Sequence, residues 1–219
     1  MINFKLPKLV IFDMDGTMLD TEPTSLAAMI RAGKEMGYEI TQEVGESLMG
    51  KSIVWCKRIL REQYGEGFDI EKALRLHKVY TRAFYEKNGI PTKAGLYPML
   101  DKLESLGIKK CVATSTAKES AMRKLESVNI AHRFEVIIGG DEVKNGKPAP
   151  DIFLKAAESC NTAPEDCVIL EDTEAGALGA TAAGIRLILI PDIAPLNEEI
   201  RAKAFALCTD LNEVAEMFI

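Results

Sequence analysis

The sequence predicts an α/β protein: a Rossmann-like, doubly wound parallel sheet core with an inserted all-helical cap domain. Short apolar runs rich in β-branched residues recur along the chain, and amphipathic stretches of helical length separate the later runs. One long interval after the first run shows only helical periodicity, which predicts the insertion. The chain has 219 residues, of which 47% are hydrophobic, so it can form a core domain with a smaller insert.

Six apolar runs are expected to form the sheet. The first begins near Lys8 and ends in acidic residues followed by Gly16, which suits a buried strand that stops at a tight turn. The last run is the weakest of the six. The predicted strands are residues 8–13, 109–115, 135–139, 166–171, 186–190 and 204–208. The helices predicted between the later strands are residues 97–106, 118–128, 152–159 and 174–183.

The interval from Leu19 to about Lys87 contains no convincing strand. Pro23 suits a first helical turn and Gly37 suits a helix end. Because this insert follows the first strand, we expect it to lie over the carboxyl edge of the sheet as a lid. Its predicted helices are residues 23–36, 52–64 and 70–87. The predicted domains are a core of residues 1–17 and 92–219 and a helical cap of residues 18–91.

The charge of the chain argues against two classes of partner, and its cysteines indicate the kind of compartment. The chain carries 27 basic and 33 acidic residues, a net charge of −6, which argues against nucleic acid or an anionic membrane as the main partner. No apolar run approaches the roughly 18 residues needed to span a bilayer, and no leader of signal-peptide length is evident. The five widely spaced cysteines are typical of buried thiols in a reducing compartment. We therefore expect a soluble cytoplasmic protein, as a monomer or alternatively a dimer.

Polar side chains follow three of the predicted strands. They are Asp13 and Asp15, Thr114 and Ser115, and Glu171 and Asp172. Because the carboxyl ends of parallel strands meet at one edge of a sheet, these groups are expected to lie close together. Four carboxylates in one cleft would repel and raise one another's pKa unless a cation neutralised them. Hard oxygen ligands without histidine or cysteine favour Mg²⁺, with Asp13, Asp15, Glu171 and Asp172 as the candidate ligands.

A single lysine is the candidate counter-charge at this edge. Lys147 lies between a glycine and Pro148, in a stiff loop that precedes a helix. Its ammonium suits the neutralisation of a phosphoryl oxygen and of a carboxylate. Thr114 and Ser115 would donate hydrogen bonds to the remaining phosphate oxygens, although strand-end hydroxyls also commonly cap helices.

Together these motifs resemble those of the haloacid dehalogenase-like hydrolase superfamily, in its branch of small helical-cap phosphatases and β-phosphoglucomutases. The order and spacing fit, and the motifs span nearly the whole chain. They are Asp13-Met14-Asp15-Gly16-Thr17, the Thr114/Ser115 strand end, Lys147, and Glu171-Asp172-Thr173-Glu174-Ala175-Gly176.

The resemblance implies a Mg²⁺-dependent phosphatase that hydrolyses a small phosphomonoester, such as a sugar phosphate, through an aspartyl-phosphate. It implies Asp13 as the nucleophile. It implies Asp15 as the acid that protonates the leaving alcohol and then as the base that activates water.

The resemblance also implies the binding roles. Mg²⁺ would be held by Asp13, Asp172 and the Asp15 carbonyl, with Glu171 as a further candidate. Lys147 and Thr114 would neutralise and bind the phosphoryl group. A cap turn that contains Gly50 and Lys51 would reach the active site and help to select the substrate.

A β-phosphoglucomutase is the alternative within the family. Such mutases carry a cap histidine where Ser25 falls in this chain and an arginine near Ile53. Neither residue is present, and the two histidines, His77 and His132, lie elsewhere. His77 is expected to be a surface or packing residue. The phosphatase is therefore favoured, and the mutase stays open.

Two alternatives come from outside the family. Residues 45–52 match the P-loop pattern of nucleotide hydrolases, which requires a buried strand before Gly45 and a helix after Lys51. The preceding residues 40–44 are short and polar, which argues against it. A receiver-type signalling module phosphorylated on Asp13 would share the acidic edge and the lysine, but the long helical insert argues against that class.

Overall fold

The computed structural model describes the backbone of residues 5–49 and 53–219, with side chains for residues 5–49 and 55–219. Six strands form one parallel sheet in the order β3-β2-β1-β4-β5-β6. This confirms the predicted α/β, Rossmann-like core. The strands are β1 (Leu9–Phe12), β2 (Lys109–Ala113), β3 (Ile137–Ile138), β4 (Cys167–Glu171), β5 (Arg186–Leu189) and β6 (Ala206–Leu207).

Strands β2 and β3 lie on one side of β1, and β4, β5 and β6 lie on the other, so the strand order reverses between β1 and β4. Phe12, the last residue of β1, lies opposite Val112 of β2 and Leu170 of β4, so three strands end almost level. All four residues of β1 and all five of β4 are buried, as expected for strands covered on both faces. In open parallel sheets, ligands bind at the carboxyl edge where the order reverses. The residues that follow β1, β2 and β4 are therefore the candidates for a binding site.

Six α-helices accompany this sheet along the chain. Four of them were predicted from the sequence, whereas the last two were not, because four and six residues are too short to show helical periodicity. Side chains of Asn197 and Asp210 cap these two short helices. The helices are α5 (Leu96–Ser105), α6 (Lys118–Ser127), α7 (Asp151–Ser159), α8 (Glu174–Ala182), α9 (Glu198–Arg201) and α10 (Leu211–Glu216).

The chain divides into two compact units, and the second runs from Thr21 to Ile90. The first unit contains the sheet. Every element of the second unit in the described residues is helical. Its helices are α1 (Glu22–Glu35), α2 (Gln42–Leu48), α3 (Ile53–Tyr64) and α4 (Ile70–Asn88). The predicted role of this unit as a lid stays a prediction.

The helical unit begins at Thr21 rather than at Met18, where the sequence suggested a boundary. The backbone of the outgoing crossover pairs with that of the returning one. Asp20 N donates to Pro91 O at 2.9 Å, and Lys93 N donates to Met18 O at 2.9 Å. These pairings hold the residues before Thr21 in the first unit.

Helix α2 bears on the P-loop alternative. Gly45 lies in the middle of this helix and packs closely against Leu26. The Thr41 hydroxyl caps the helix by accepting a hydrogen bond from Val44 N at 3.2 Å. A P-loop requires a strand directly before its first glycine. The P-loop interpretation is therefore wrong, because Gly45 follows helix residues instead of a strand.

The described residues contain no helix with the length and apolar character that crossing a bilayer would require.

Candidate active site

Asp13 is the first residue after β1 and is buried at the carboxyl edge of the sheet. Its backbone N–H donates to Leu170 O at 2.9 Å, which extends the pairing of β1 with β4 by one residue. The chain then turns sharply at Gly16, whose φ of +88° strongly favours glycine. The acidic motif is thus fixed by a buried strand on one side and a glycine turn on the other.

Lys147 is buried between two carboxylates. Its Nζ lies 2.5 Å from Asp13 Oδ1 and 2.6 Å from Glu171 Oε1. The ammonium also lies 4.9 Å from the ring centroid of Phe153, on α7. The structure thus brings together three predicted site residues that are up to 158 positions apart (171 − 13).

Glu171 is held rigidly at the end of β4. Its Oε2 accepts hydrogen bonds from Asp172 N at 2.8 Å, Thr173 N at 2.7 Å and Thr173 Oγ1 at 2.9 Å. A Cβ at Gly176, in the first turn of α8, would overlap this carboxylate. Both oxygens of Glu171 are therefore engaged, one with Lys147 and one with its own loop.

Asp172 is buried and contacts the turn that follows Asp13. Its Oδ1 accepts a hydrogen bond from Thr17 Oγ1 at 2.9 Å, and a Cβ at Gly16 would overlap Oδ2. The first and fourth sequence motifs therefore meet at this point. Thr17 was not among the predicted site residues, although its place in the first motif is the signal that could have identified it.

Burial dominates the electrostatics of this group. It raises the pKa of Asp13 to about 8, and the adjacent Lys147 opposes that rise. For Lys147, burial alone lowers the pKa, but the neighbouring carboxylates of Asp13 and Glu171 outweigh it, so the pKa is raised. The ion pairs thus stabilise a charged lysine in the interior of the protein.

The donor set suits a hard divalent cation. Three carboxylates at this edge, on Asp13, Glu171 and Asp172, are buried, and the buried ammonium of Lys147 pairs with the first two. The described residues include no ready-made cage of three or more acidic, histidine or cysteine side chains. Mg²⁺ does not need one, because it is commonly bound by one or two carboxylates and retains several waters. The excess of buried negative charge and the all-oxygen donors therefore fit Mg²⁺.

Asp15 is held by two side chains that the sequence analysis did not identify. Its Oδ2 accepts a hydrogen bond from Thr116 Oγ1 at 2.7 Å, and its Oδ1 lies 2.6 Å from Lys124 Nζ. Thr116 follows the predicted strand-end hydroxyls closely, so proximity could have suggested it. Lys124 lies 109 positions from Asp15, and nothing in the local sequence marks it.

The predicted phosphate-binding hydroxyls follow β2. Thr114 is buried, and its Oγ1 accepts a hydrogen bond from Thr116 N at 3.1 Å. Ser115 is exposed. Gly50 and Lys51, the predicted substrate-selecting residues, lie outside the described residues, so their role stays a prediction.

The helical unit contains a polar pair between α1 and α4. Ser25 Oγ lies 2.9 Å from His77 Nε2 in a partly buried setting. The sequence analysis treated the two residues separately, because they are 52 positions apart in the chain. The His77 imidazole, on α4, thus contacts Ser25, which is the position where the sequence analysis placed the cap histidine of mutases.

The model of the family described as "Haloacid dehalogenase-like hydrolase" matches residues 10–190 of this chain. The chain belongs to that family. The matched segment contains Asp13, Asp15, Lys147, Glu171 and Asp172. The predicted family and enzyme class, a haloacid dehalogenase-like phosphoric monoester hydrolase, are confirmed.

Two curated members of the haloacid dehalogenase-like family are similar over most of this chain. A phosphorylated carbohydrates phosphatase from Thermotoga maritima is 35% identical over 184 residues, which cover 82% of this chain and 82% of that protein. The fructose-1-phosphate phosphatase YqaB from Escherichia coli is 30% identical over 178 residues, which cover 80% of this chain and 92% of that protein.

A solved structure supports the same family assignment over nearly the whole chain. The crystal structure of a protein named as a putative β-phosphoglucomutase from Thermotoga maritima matches with a TM-score of 0.76 and 30% identity. The match covers 95% of this chain and 96% of the other. Both the sheet and the helical insertion are therefore shared with a haloacid dehalogenase-like protein.

Proposed function

We propose that this chain is a Mg²⁺-dependent phosphatase that hydrolyses a small phosphorylated carbohydrate through an aspartyl-phosphate intermediate. The observation that carries the proposal is the buried Asp13, paired with Lys147 at the edge where the strand order reverses. A carboxylate in that place can act as a nucleophile, and the ammonium beside it can neutralise a phosphoryl oxygen.

The first step transfers the phosphoryl group to the enzyme. An oxygen of Asp13 forms a bond to phosphorus while the bond between phosphorus and the ester oxygen of the substrate breaks. Protonated Asp15 gives its proton to that ester oxygen, so the alcohol leaves as a neutral molecule and Asp15 becomes a carboxylate. Lys147 and Thr114 bind the equatorial oxygens of the transferred group.

The second step returns the enzyme to its starting state. The oxygen of a water molecule forms a bond to phosphorus, and the bond between phosphorus and Asp13 breaks. Asp15 accepts one proton from that water, which restores its protonated form. The products are inorganic phosphate and a free Asp13 carboxylate.

Asp13, Asp172 and the backbone carbonyl of Asp15 are the proposed ligands of Mg²⁺, and Glu171 adds negative charge beside them. The bound cation supplies neutralisation of the phosphoryl charge. When bound, the cation would also favour the ionised form of Asp13, against the rise in pKa that burial causes.

The proposed substrate class is a small sugar phosphate or related metabolite. Relatives at 35% and 30% identity are named as phosphatases of phosphorylated carbohydrates and of fructose 1-phosphate. Gly50 and Lys51 in the cap remain our candidates for substrate selection. We propose a cytoplasmic enzyme.

Asp13→Asn is the direct test. We expect purified D13N to lose measurable release of phosphate from sugar phosphates in the presence of Mg²⁺, because an amide cannot act as the nucleophile. The control is D101N, which alters an exposed carboxylate on α5 and should retain activity. Appreciable turnover by D13N of verified mass would overturn the proposal.

A phosphosugar mutase is the second candidate, favoured by the similarity to the putative β-phosphoglucomutase. A panel of sugar, polyol and nucleotide monophosphates, assayed with Mg²⁺, distinguishes the two. Isomerisation of β-glucose 1-phosphate that depends on added glucose 1,6-bisphosphate would identify a mutase. Release of inorganic phosphate without that cofactor identifies a phosphatase.

A further inference from the structure

We infer that Lys124 is a positioning residue for Asp15 and that it acts together with the hydroxyl of Thr116. The inference rests on the proposed function, in which Asp15 delivers and accepts the proton. It gives helix α6 a role in proton transfer, although no local sequence motif marks Lys124.

Lys124 and Thr116 contact different oxygens of the Asp15 carboxylate. Lys124 Nζ lies 2.6 Å from Oδ1, and Thr116 Oγ1 donates to Oδ2 at 2.7 Å. Each oxygen of the carboxylate thus has its own donor, and the donors come from different places: the loop after β2 and the body of α6. Two anchors on separate elements fix the rotation of a short side chain more firmly than either alone.

The setting makes this pair stronger than an ordinary surface ion pair. The side chains of Lys124 and Asp15 are only 20% and 21% exposed. Exposed pairs contribute little because water screens them, whereas partial burial reduces that screening. The geometry is therefore expected to hold without a bound ligand.

The basic residues of α6 are used in different ways. Each of its three cations pairs with a different carboxylate: Lys118 with Glu142, Arg123 with Glu119, and Lys124 with Asp15. Arg123 and Glu119 are exposed and lie four residues apart on the same helix. Arg123 is therefore a matched control for Lys124, since it is the adjacent cation on the same helix.

Orientation matters because a general acid must lie within hydrogen-bond reach of the atom that receives its proton. Small displacements of a catalytic group lower rates steeply. Protonated Asp15 can keep Oδ1 as the acceptor for Lys124 while Oδ2 carries the proton, because the Thr116 hydroxyl can accept as well as donate. If Lys124 orients Asp15 in this way, its removal should impair proton delivery to the leaving group while Asp13 and Lys147 stay in place.

The test compares leaving groups. A sugar alkoxide is a poor leaving group that needs a proton, whereas p-nitrophenolate leaves readily without one. We expect Lys124→Met to lower kcat/KM for a sugar phosphate at least about tenfold more than for p-nitrophenyl phosphate. Lys124→Arg should restore part of the difference, because it keeps the cation.

Matched variants separate positioning from a general structural effect. Arg123→Met should leave the ratio of the two kcat/KM values unchanged. Thr116→Val removes the other donor and should shift the ratio in the same direction as K124M, which keeps the test usable if K124M folds poorly. An equal loss for both substrates, or no loss, in K124M and T116V would overturn the inference.

Combination with Asp15→Asn gives an independent check. If Lys124 acts through Asp15, K124M should add no further loss to D15N, whereas additive losses contradict the inference. Failure of the inference is distinguishable from failure of the proposed function. Turnover by D13N would overturn the latter, and an unchanged substrate ratio with an inactive D13N would overturn only the former.

Discussion

Lys147 is the residue on which the charge balance of the site depends. Its ammonium is buried and lies within 2.6 Å of oxygens from Asp13 and Glu171. Isolated buried charges are costly, but paired ones with good hydrogen-bond geometry are tolerated. The lysine therefore allows two carboxylates to approach each other before a substrate or cation arrives.

Replacement of this lysine should affect stability as well as activity. We expect Lys147→Met to lower the free energy of unfolding by about 3–5 kcal/mol, because Asp13 and Glu171 remain buried without their partner. Urea-induced unfolding without Mg²⁺ measures the change. Mg²⁺ that binds the native state should recover part of the loss.

The control for K147M is Lys144→Met, which changes an exposed lysine in the same loop region. It should change the free energy of unfolding by no more than about 0.5 kcal/mol. Equal destabilisation by both substitutions would show that the pairs of Lys147 contribute no more than a surface charge.

At the scale of elements, a charged network links α5, β2 and the 3-10 helix Ala131–Arg133. Glu104 of α5 accepts two hydrogen bonds from Arg133, at 2.9 and 2.7 Å. Lys110 of β2, largely buried, lies 2.9 Å from the same carboxylate. The hydrogen bonds from Arg133, and then that from Lys110, lower the pKa of Glu104 from 4.5 to about 2.

This network predicts a pH dependence of stability. Because the pKa of Glu104 is lowered on folding, its contribution is complete above pH 4.5 and is lost as the pH falls toward 2. We expect Glu104→Gln to lower Tm at pH 7 by about 2–4 °C, a modest effect because the carboxylate is partly exposed. Thermal unfolding followed by circular dichroism at several pH values measures it.

The difference between wild type and E104Q should shrink between pH 4.5 and pH 2. Glu158→Gln, at an exposed position on α7, is the control and should leave Tm nearly unchanged. A Tm difference for E104Q that stays constant over this pH range would contradict the role of the ionised carboxylate.

The sequence predicted all six strands and the longer helices, and it missed the short helices. Strands β1 to β5 are largely buried and form nearly continuous apolar runs, which made them recognisable, whereas β6 is not buried and gave the weakest run. Helices of nine residues or more in the first unit showed their periodicity. Helices α2, α9 and α10 have seven, four and six residues, too few for a periodic pattern, and they depend on caps and packing instead.

At the scale of the whole molecule, Lys93 in the returning crossover forms an ion pair with Asp20 in the outgoing crossover. Lys93 Nζ lies 2.6 Å from Asp192, in the loop after β5, and 3.2 Å from Asp20 in the outgoing crossover. The other oxygen of Asp192, Oδ2, is buried without a hydrogen-bond partner among the described residues. Asp192 therefore depends on Lys93 for its charge compensation.

We expect Lys93→Met to lower the free energy of unfolding by about 1–3 kcal/mol, because it leaves the Asp192 carboxylate buried and unpaired. Chemical denaturation measures the loss. Asp192→Asn in the K93M background should recover part of it, and Lys87→Met, at an exposed position on α4, should be nearly neutral. No recovery in the double variant would contradict the pairing.

How much of the site the sequence predicts depends on the distance over which side chains act. Asp13, Glu171 and Asp172 were predictable together because strand ends share one edge of a parallel sheet. The contact of Lys124 with Asp15 depends on a long side chain that crosses from a helix, and no local motif encodes it. No local motif encodes the contact between Ser25 and His77 either.

Gly16 and Gly176 carry no functional group, yet a methyl at either position would collide with Asp172 or Glu171. The site therefore requires residues without a side chain at these two positions. A larger residue at either position would displace a buried acid that lies elsewhere in the sequence.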